Sequence, residues 1–189
     1  MNITDETLEF GKINKIARPS KKFKWWQAAL MLVAVSVIGA LTSGGSSKNK
    51  KFYAKKQTQA PWAPPAWLFA PAWTFNNLFL IWGLKRILNN PDLERRDKLL
   101  ALQGMIWVVF LSFGYVYFRK RSPLLAEVWT QADAILAVTS FITALKSDKK
   151  LAIAYAPLML WTWFASSLSG YQALKNPDPL FHTEALLPH

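Results

Sequence analysis

Long stretches without charge, separated by clusters of lysine and arginine, constrain this chain more than any other feature. Trp25 to Ser47 is uncharged over 23 residues, Leu99 to Phe118 over 20, and Gln57 to Leu84 and Leu151 to Leu174 are uncharged throughout. Ser122 to Leu145 carries only Glu127 and Asp133. At about 1.5 Å of rise per residue, a helix of about 20 residues matches a hydrocarbon core about 30 Å thick. Apolar residues make up 52% of the 189 positions while the formal net charge is +12, so the chain is apolar and basic at once. Spread evenly, these properties would fit a basic soluble domain; segregated, they specify membrane spans with basic flanks. The expected fold is all-α, a five-transmembrane-helix bundle. Residues 25–175 form the expected membrane domain, 1–24 a basic N-terminal arm and 176–189 a C-terminal tail. A cleaved signal peptide would have a shorter apolar region placed nearer the N-terminus.

Chemistry is bounded by what the composition omits. There is no cysteine, so disulfides and thiolate metal sites are excluded, and the two histidines, His182 and His189, both lie in the tail. No metal site and no required cofactor are expected, and the basic clusters are assigned to the lipid membrane rather than to nucleic acid. Lys and Arg counts set the orientation. The arm, the connector after the second span and the connector after the fourth hold 14 of them, against nine on the other side. This places the N-terminus inside and the C-terminus outside.

The stretch "PWAPPAWLFAPAWTF" at 61–75 packs four prolines, three tryptophans and two phenylalanines into fifteen positions. Pro64 and Pro65 suit the first turn of the second helix, where a missing N–H costs nothing, and Pro71 is expected to bend it about two turns further in. Around it, "FYAKKQTQAPWAPPAWLFAPAWT" at 52–74 resembles the W-Y-x-x-L-x-K-P-x-W-x-P-P-x-W-x-F-x-P-x-W-T signature of the TspO/translocator-protein family, also called peripheral-type benzodiazepine receptors. The match runs from Trp62 to Thr74. "PLMLWTWFASSLS" at 157–169 is similar to the family's P-Y-L-x-W-x-x-F-A-x-x-L-N at Pro157, Trp161, Phe164, Ala165 and Leu168. The chain departs from the family at Gln59 and Ala60, which replace lysine and proline, at Asn77 and Leu158, which replace tyrosines, and at Ser169, which replaces asparagine.

The resemblance implies a ligand pocket inside the five-helix bundle, and an integral membrane protein binding tetrapyrroles such as protoporphyrin, haem-like molecules or other flat hydrophobic ligands, as a receptor or carrier in porphyrin handling or stress response. The alternative it implies is an enzyme of light-dependent porphyrin degradation, using Trp73 and Trp161. Illumination with protoporphyrin separates the two, since only the enzyme yields a new chromophore. The ligand-binding residues implied are Pro65, Trp67, Phe69, Trp73, Asn77, Gln103, Trp107, Trp161, Ala165 and Leu168, with Gln103 at the position of a family asparagine. Helical spacing adds an independent reading, because Phe69, Trp73, Asn77 and Leu80 share one face of the second helix, and Pro157, Trp161, Ala165 and Leu168 one face of the fifth. If those faces oppose, two indoles flank a flat ligand and Ala165 leaves it room. Aromatic stripes in a bundle more often serve packing, and it is the two matched motifs that single out Trp73 and Trp161.

Trp25, Trp26 and Trp129 are expected as interface anchors. Glu127 and Asp133, six residues apart, fall on different faces and do not form a carboxylate pair. Asp133 is the deeper, a functional candidate or the partner of an interhelical hydrogen bond. Leu168, Tyr171 and Lys175 fit a proposed cholesterol pattern that is common at span ends. Small residues at 165/169 and 166/170 permit close helix approach, either within the chain or in a homodimer.

Overall fold

The computed structural model describes residues 22–42 and 57–187. The arm before residue 22, the end of the first uncharged stretch, the connector as far as Lys56 and the last two residues lie outside the described residues. Five helices follow one another: α1 (Trp25–Thr42), α2 (Phe69–Leu88), α3 (Arg96–Gly114), α4 (Pro123–Leu145) and α5 (Lys149–Lys175). A 3₁₀ turn at Ala66–Leu68 leads into α2, and a wider π turn at Tyr115–Arg119 ends α3. The described residues contain no strand, only a backbone bridge between Asp178 and Thr183.

The charge boundaries of the sequence coincide with helix ends. Ser122 caps α4 by accepting a hydrogen bond from the Leu125 N–H, with Pro123 at the first helical position. Asp148 caps α5 through the Lys150 N–H and pairs with Arg86 at the end of α2. Burial alone would raise the Asp148 carboxyl, but Arg86 and the N–H groups of Lys150 and Leu151 hold it below its ordinary value. α1, the combined α3 and π-turn segment, α4 and α5 are each long and apolar enough to cross a membrane. α2 is less apolar, because it carries Asn76, Asn77, Lys85 and Arg86, yet its 20 residues give it a comparable length.

Pro71 occupies a different place from the one expected. It is the third residue of α2, inside the first turn, because the chain from Pro65 to Leu68 is still extended or 3₁₀. Its missing N–H is therefore one of the helix-terminal donors that have no intrahelical partner anyway.

α4 and α5 share the most extensive contact, α3 packs on α4, α2 packs on α5, and α1 lies against α2 and α3. α1 and α2 run antiparallel, since the Asn89 side chain at the end of α2 bonds both the N–H (2.6 Å) and the C=O (2.9 Å) of Phe23. α2 also approaches α5 closely: a Cβ at Gly83 would stand 3.1 Å from the Ala154 Cβ. α1 buries only Ala28 and Val35 and turns Leu30, Val33, Val37 and Leu41 outward, as a lipid-facing helix does.

Three helices are tied at their centre by one amide. Gln103 on α3 donates to the Leu80 C=O of α2 at 2.6 Å and accepts from the Tyr155 hydroxyl of α5 at 2.8 Å. Interhelical hydrogen bonds inside membranes contribute about 0.6 to 1.7 kcal/mol. Tyr155→Phe is therefore expected to lower stability by about 1 kcal/mol, measured by unfolding of the purified protein in mixed micelles; no loss would mean that Gln103 finds another donor.

The segment after α5 folds back on the bundle rather than trailing as a tail. The Asn176 side chain accepts from the Thr58 N–H (2.6 Å) and donates to the Thr58 C=O (3.0 Å), pinning the approach to α2 against the end of α5. Gln172 extends this belt, donating to Gln59 Oε1 at 2.6 Å and accepting from the Tyr117 hydroxyl at 3.0 Å. Asp178 accepts from Ser122 and the Leu124 N–H at the start of α4.

Candidate functional site

The half of the bundle nearest this belt holds a small cavity between α2, α3, α4 and α5. Phe69 and Trp73 come from the first two turns of α2, and Trp161, Thr162 and Ala165 from α5. Val109, Phe110 and Phe113 close it from α3, and Trp129, Thr130 and Asp133 from α4. Its volume is about 70 Å³. Sites for drug-sized ligands run to about 300–1,000 Å³, so a molecule of that size would fit here only with the aromatic walls parted.

The walls are built from ring contacts. Trp73 and Trp161 meet edge to face with centroids 6.4 Å apart, Phe69 meets Trp161 at 5.8 Å, and Trp73 lies 4.9 Å from Phe110. Facing α2 and α5 in antiparallel order brings the two motif tryptophans together, although they are 88 positions apart in the sequence. A Cβ at Gly39 of α1 would stand 3.3 Å from the Phe110 ring, so α1 backs the α3 wall from outside.

Of the residues expected at the site, Phe69, Trp73, Trp161 and Ala165 line the cavity. Trp107 stands behind Phe110, edge to face at 6.2 Å, buried and with its indole N–H unpartnered. Gln103 serves the clamp between Leu80 and Tyr155, outside the lining. Asn77 is buried one turn beyond Trp73 with its Oδ1 unpartnered, and Leu168 is buried away from the lining. Pro65 and Trp67 are exposed at the entrance to α2, Trp67 by 69%.

The walls from α3 and α4 escaped the motif reading. Trp129, expected as an interface anchor, instead lines the cavity and donates its N–H to Ser112 at 2.8 Å. Trp129 and Asp133 are four positions apart on one helical face, a spacing that was available as a signal. Glu127 and Asp133 do face differently: Glu127 accepts from Ser169 on α5 and from Gln131, while Asp133 turns to the cavity. Of the small residues of α5, Gly170 faces α4 within the chain, since a Cβ there would stand 3.5 Å from Glu127 Oε1. The trio Leu168, Tyr171 and Lys175 does not form one lipid-facing set, as Leu168 is buried and Tyr171 packs 5.5 Å from Trp62.

The TspO/MBR family model matches residues 28–174, which takes in all but the first turn of α1 and nearly all of α5. The chain belongs to the TspO/MBR family. It is 26% identical over 155 residues to the tryptophan-rich protein TspO of Chlorobaculum tepidum, covering 79% of this chain and 95% of that protein. Family membership and the apolar helices together make it an integral, multi-pass membrane protein of the TspO/MBR type. The match spans the four helices that wall the cavity, so the cavity lies within the part of the chain shared with the family.

Proposed function

We propose that this protein crosses the membrane five times and binds flat, conjugated hydrophobic ligands, tetrapyrroles such as protoporphyrin above all, inside the bundle between α2 and α5. One observation carries the reading: two indoles from opposed helices, Trp73 and Trp161, meet across a cavity whose lining is mostly aromatic or apolar, with Asp133 and two threonines as its polar members. A planar macrocycle inserted between them would exchange ring–ring contacts for stacking on both of its faces. Phe69, Phe110 and Phe113 add apolar surface to the same lining. Receptor or carrier is the role that needs nothing further from these residues. Titrating protoporphyrin into the purified protein should quench tryptophan emission saturably. Quenching that rises linearly with detergent-dissolved porphyrin and never saturates would sink the reading.

The orientation proposed is N-terminus inside and C-terminus outside. The start of α1, the connector after α2 and the turn after α4 lie at one end of the bundle, tied by Asn89 to Phe23 and by Arg86 to Asp148. These are the segments adjoining the larger share of the basic residues. Reporters fused at Met1 and after His189 are expected on opposite faces of the membrane, the first cytoplasmic; both on one face would mean that one helix does not cross.

A further inference from the structure

We infer that Asp133 is the polar recognition point of this cavity, and that it selects flat ligands bearing a protonated or N–H nitrogen at the ring edge. The inference rests on the cavity being a ligand site, as proposed above. Asp133 sits at the middle of α4, is 4% exposed, and has an Oδ1 with no hydrogen-bond partner. A carboxylate at that depth in a membrane is costly unless something satisfies it.

The neighbours do not. The Thr130 and Thr162 hydroxyls, which share the lining, donate instead to the carbonyls of Ala126 and Leu158 in their own helices. The Trp129 N–H is taken by Ser112. The ion pairs Arg86–Asp148, Arg95–Glu94 and Arg96–Asp97 lie at the far end of the bundle. Glu127, the other acid of the spans, is occupied by Ser169 and Gln131. Asp133 is thus an open acceptor in a chamber that is mostly aromatic and apolar.

A ligand nitrogen that donates to this carboxylate makes a charge-assisted bond, roughly twice as strong as a neutral one. If it is cationic, the indole faces of Trp73 and Trp161 add attraction to the same charge. A ligand of equal shape without that nitrogen leaves the carboxylate buried and unmatched. The unpartnered indole N–H of Trp161 offers a single donor to the same chamber, so a ligand acceptor beside the nitrogen would be matched too.

The test compares 9-aminoacridine, three fused rings with a protonated ring nitrogen at neutral pH, with anthracene, the same frame without nitrogen. Both are titrated against protein in neutral detergent, reading tryptophan quenching. Wild type should bind 9-aminoacridine more tightly. Asp133→Leu should weaken 9-aminoacridine by about ten- to hundred-fold, the range for a hydrogen bond to a charged group, and leave anthracene nearly unchanged. Asp133→Asn, which keeps an acceptor oxygen without the charge, should fall between and guards against misfolding of the leucine variant. Trp161→Leu should weaken both probes. Equal affinity of wild type for the two probes, or parallel losses for both in Asp133→Leu, overturns the inference while leaving the cavity a ligand site. Failure of wild type to bind either probe overturns the ligand-site reading and this inference with it.

Discussion

Replacing either Trp73 or Trp161 with leucine is expected to weaken protoporphyrin binding by roughly five- to thirty-fold, a loss of about 1–2 kcal/mol. Leucine keeps apolar volume and removes the aromatic face, so the change isolates stacking from burial. Trp25→Leu is the control: its ring is 62% exposed at the start of α1, beneath the Lys85 ammonium, and remote from the cavity. The sign of the effect is as informative as its size. The two indoles rest edge to face with centroids 6.4 Å apart, and admitting a macrocycle between them means parting them. If that parting dominated the energetics, leucine would relieve it and affinity would rise. A rise would identify the aromatic cluster as a plug, and equal small changes at all three positions would identify it as packing.

The sequence made the spans legible because charge marks their ends. Lys24, the "RKR" run at 119–121 and the lysines at 149 and 150 fall at or beside helix boundaries. The α2 boundary was harder, since prolines at 61, 64, 65 and 71 permit several starting points, and the 3₁₀ turn at Ala66–Leu68 moves the α-helix onset to Phe69. Two walls of the cavity followed from motifs on α2 and α5. The others did not, because Val109, Phe110 and Phe113 are indistinguishable by composition from the lipid-facing residues around them. Only the fold shows that this face of α3 turns inward and that Val108, 67% exposed, turns away. Gln103 was picked out by resemblance, but the use of its amide depends on a tyrosine 52 positions later and a carbonyl 23 positions earlier. Long-range pairings of that kind leave no periodic trace. The same holds for the segment after α5, where "NPDP" reads as a turn and nothing local announces that its polar side chains reach Thr58 and Ser122.

Asp178→Ala is expected to cost about 2–3 kcal/mol of stability at neutral pH, the range for hydrogen bonds to a buried charge together with a helix cap. The carboxylate is 1% exposed and joins three segments. One oxygen accepts from the Ser122 hydroxyl at 2.6 Å and the Leu124 N–H at 3.0 Å; the other accepts from the N–H groups of Leu180 (2.9 Å) and Phe181 (3.0 Å). Alanine leaves Ser122, itself fully buried, and a first-turn N–H of α4 without this acceptor. Burial alone would raise this carboxyl, but the Ser122 hydroxyl and the three N–H groups outweigh it and hold it below its ordinary value of 3.8. A depressed value in the folded protein means that the stabilisation is complete above the ordinary value and disappears as pH falls through the folded one. The gap between wild type and Asp178→Ala should therefore be constant from neutral pH down to about pH 5 and close below pH 4. Asp148, depressed in the same sense by Arg86, is present in both proteins and cancels from the difference. Helical circular dichroism during thermal unfolding in detergent, at a series of pH values, measures the gap directly. A gap of full size that persists at pH 3, or none at pH 7, would show that Asp178 holds the segment by shape rather than by charge.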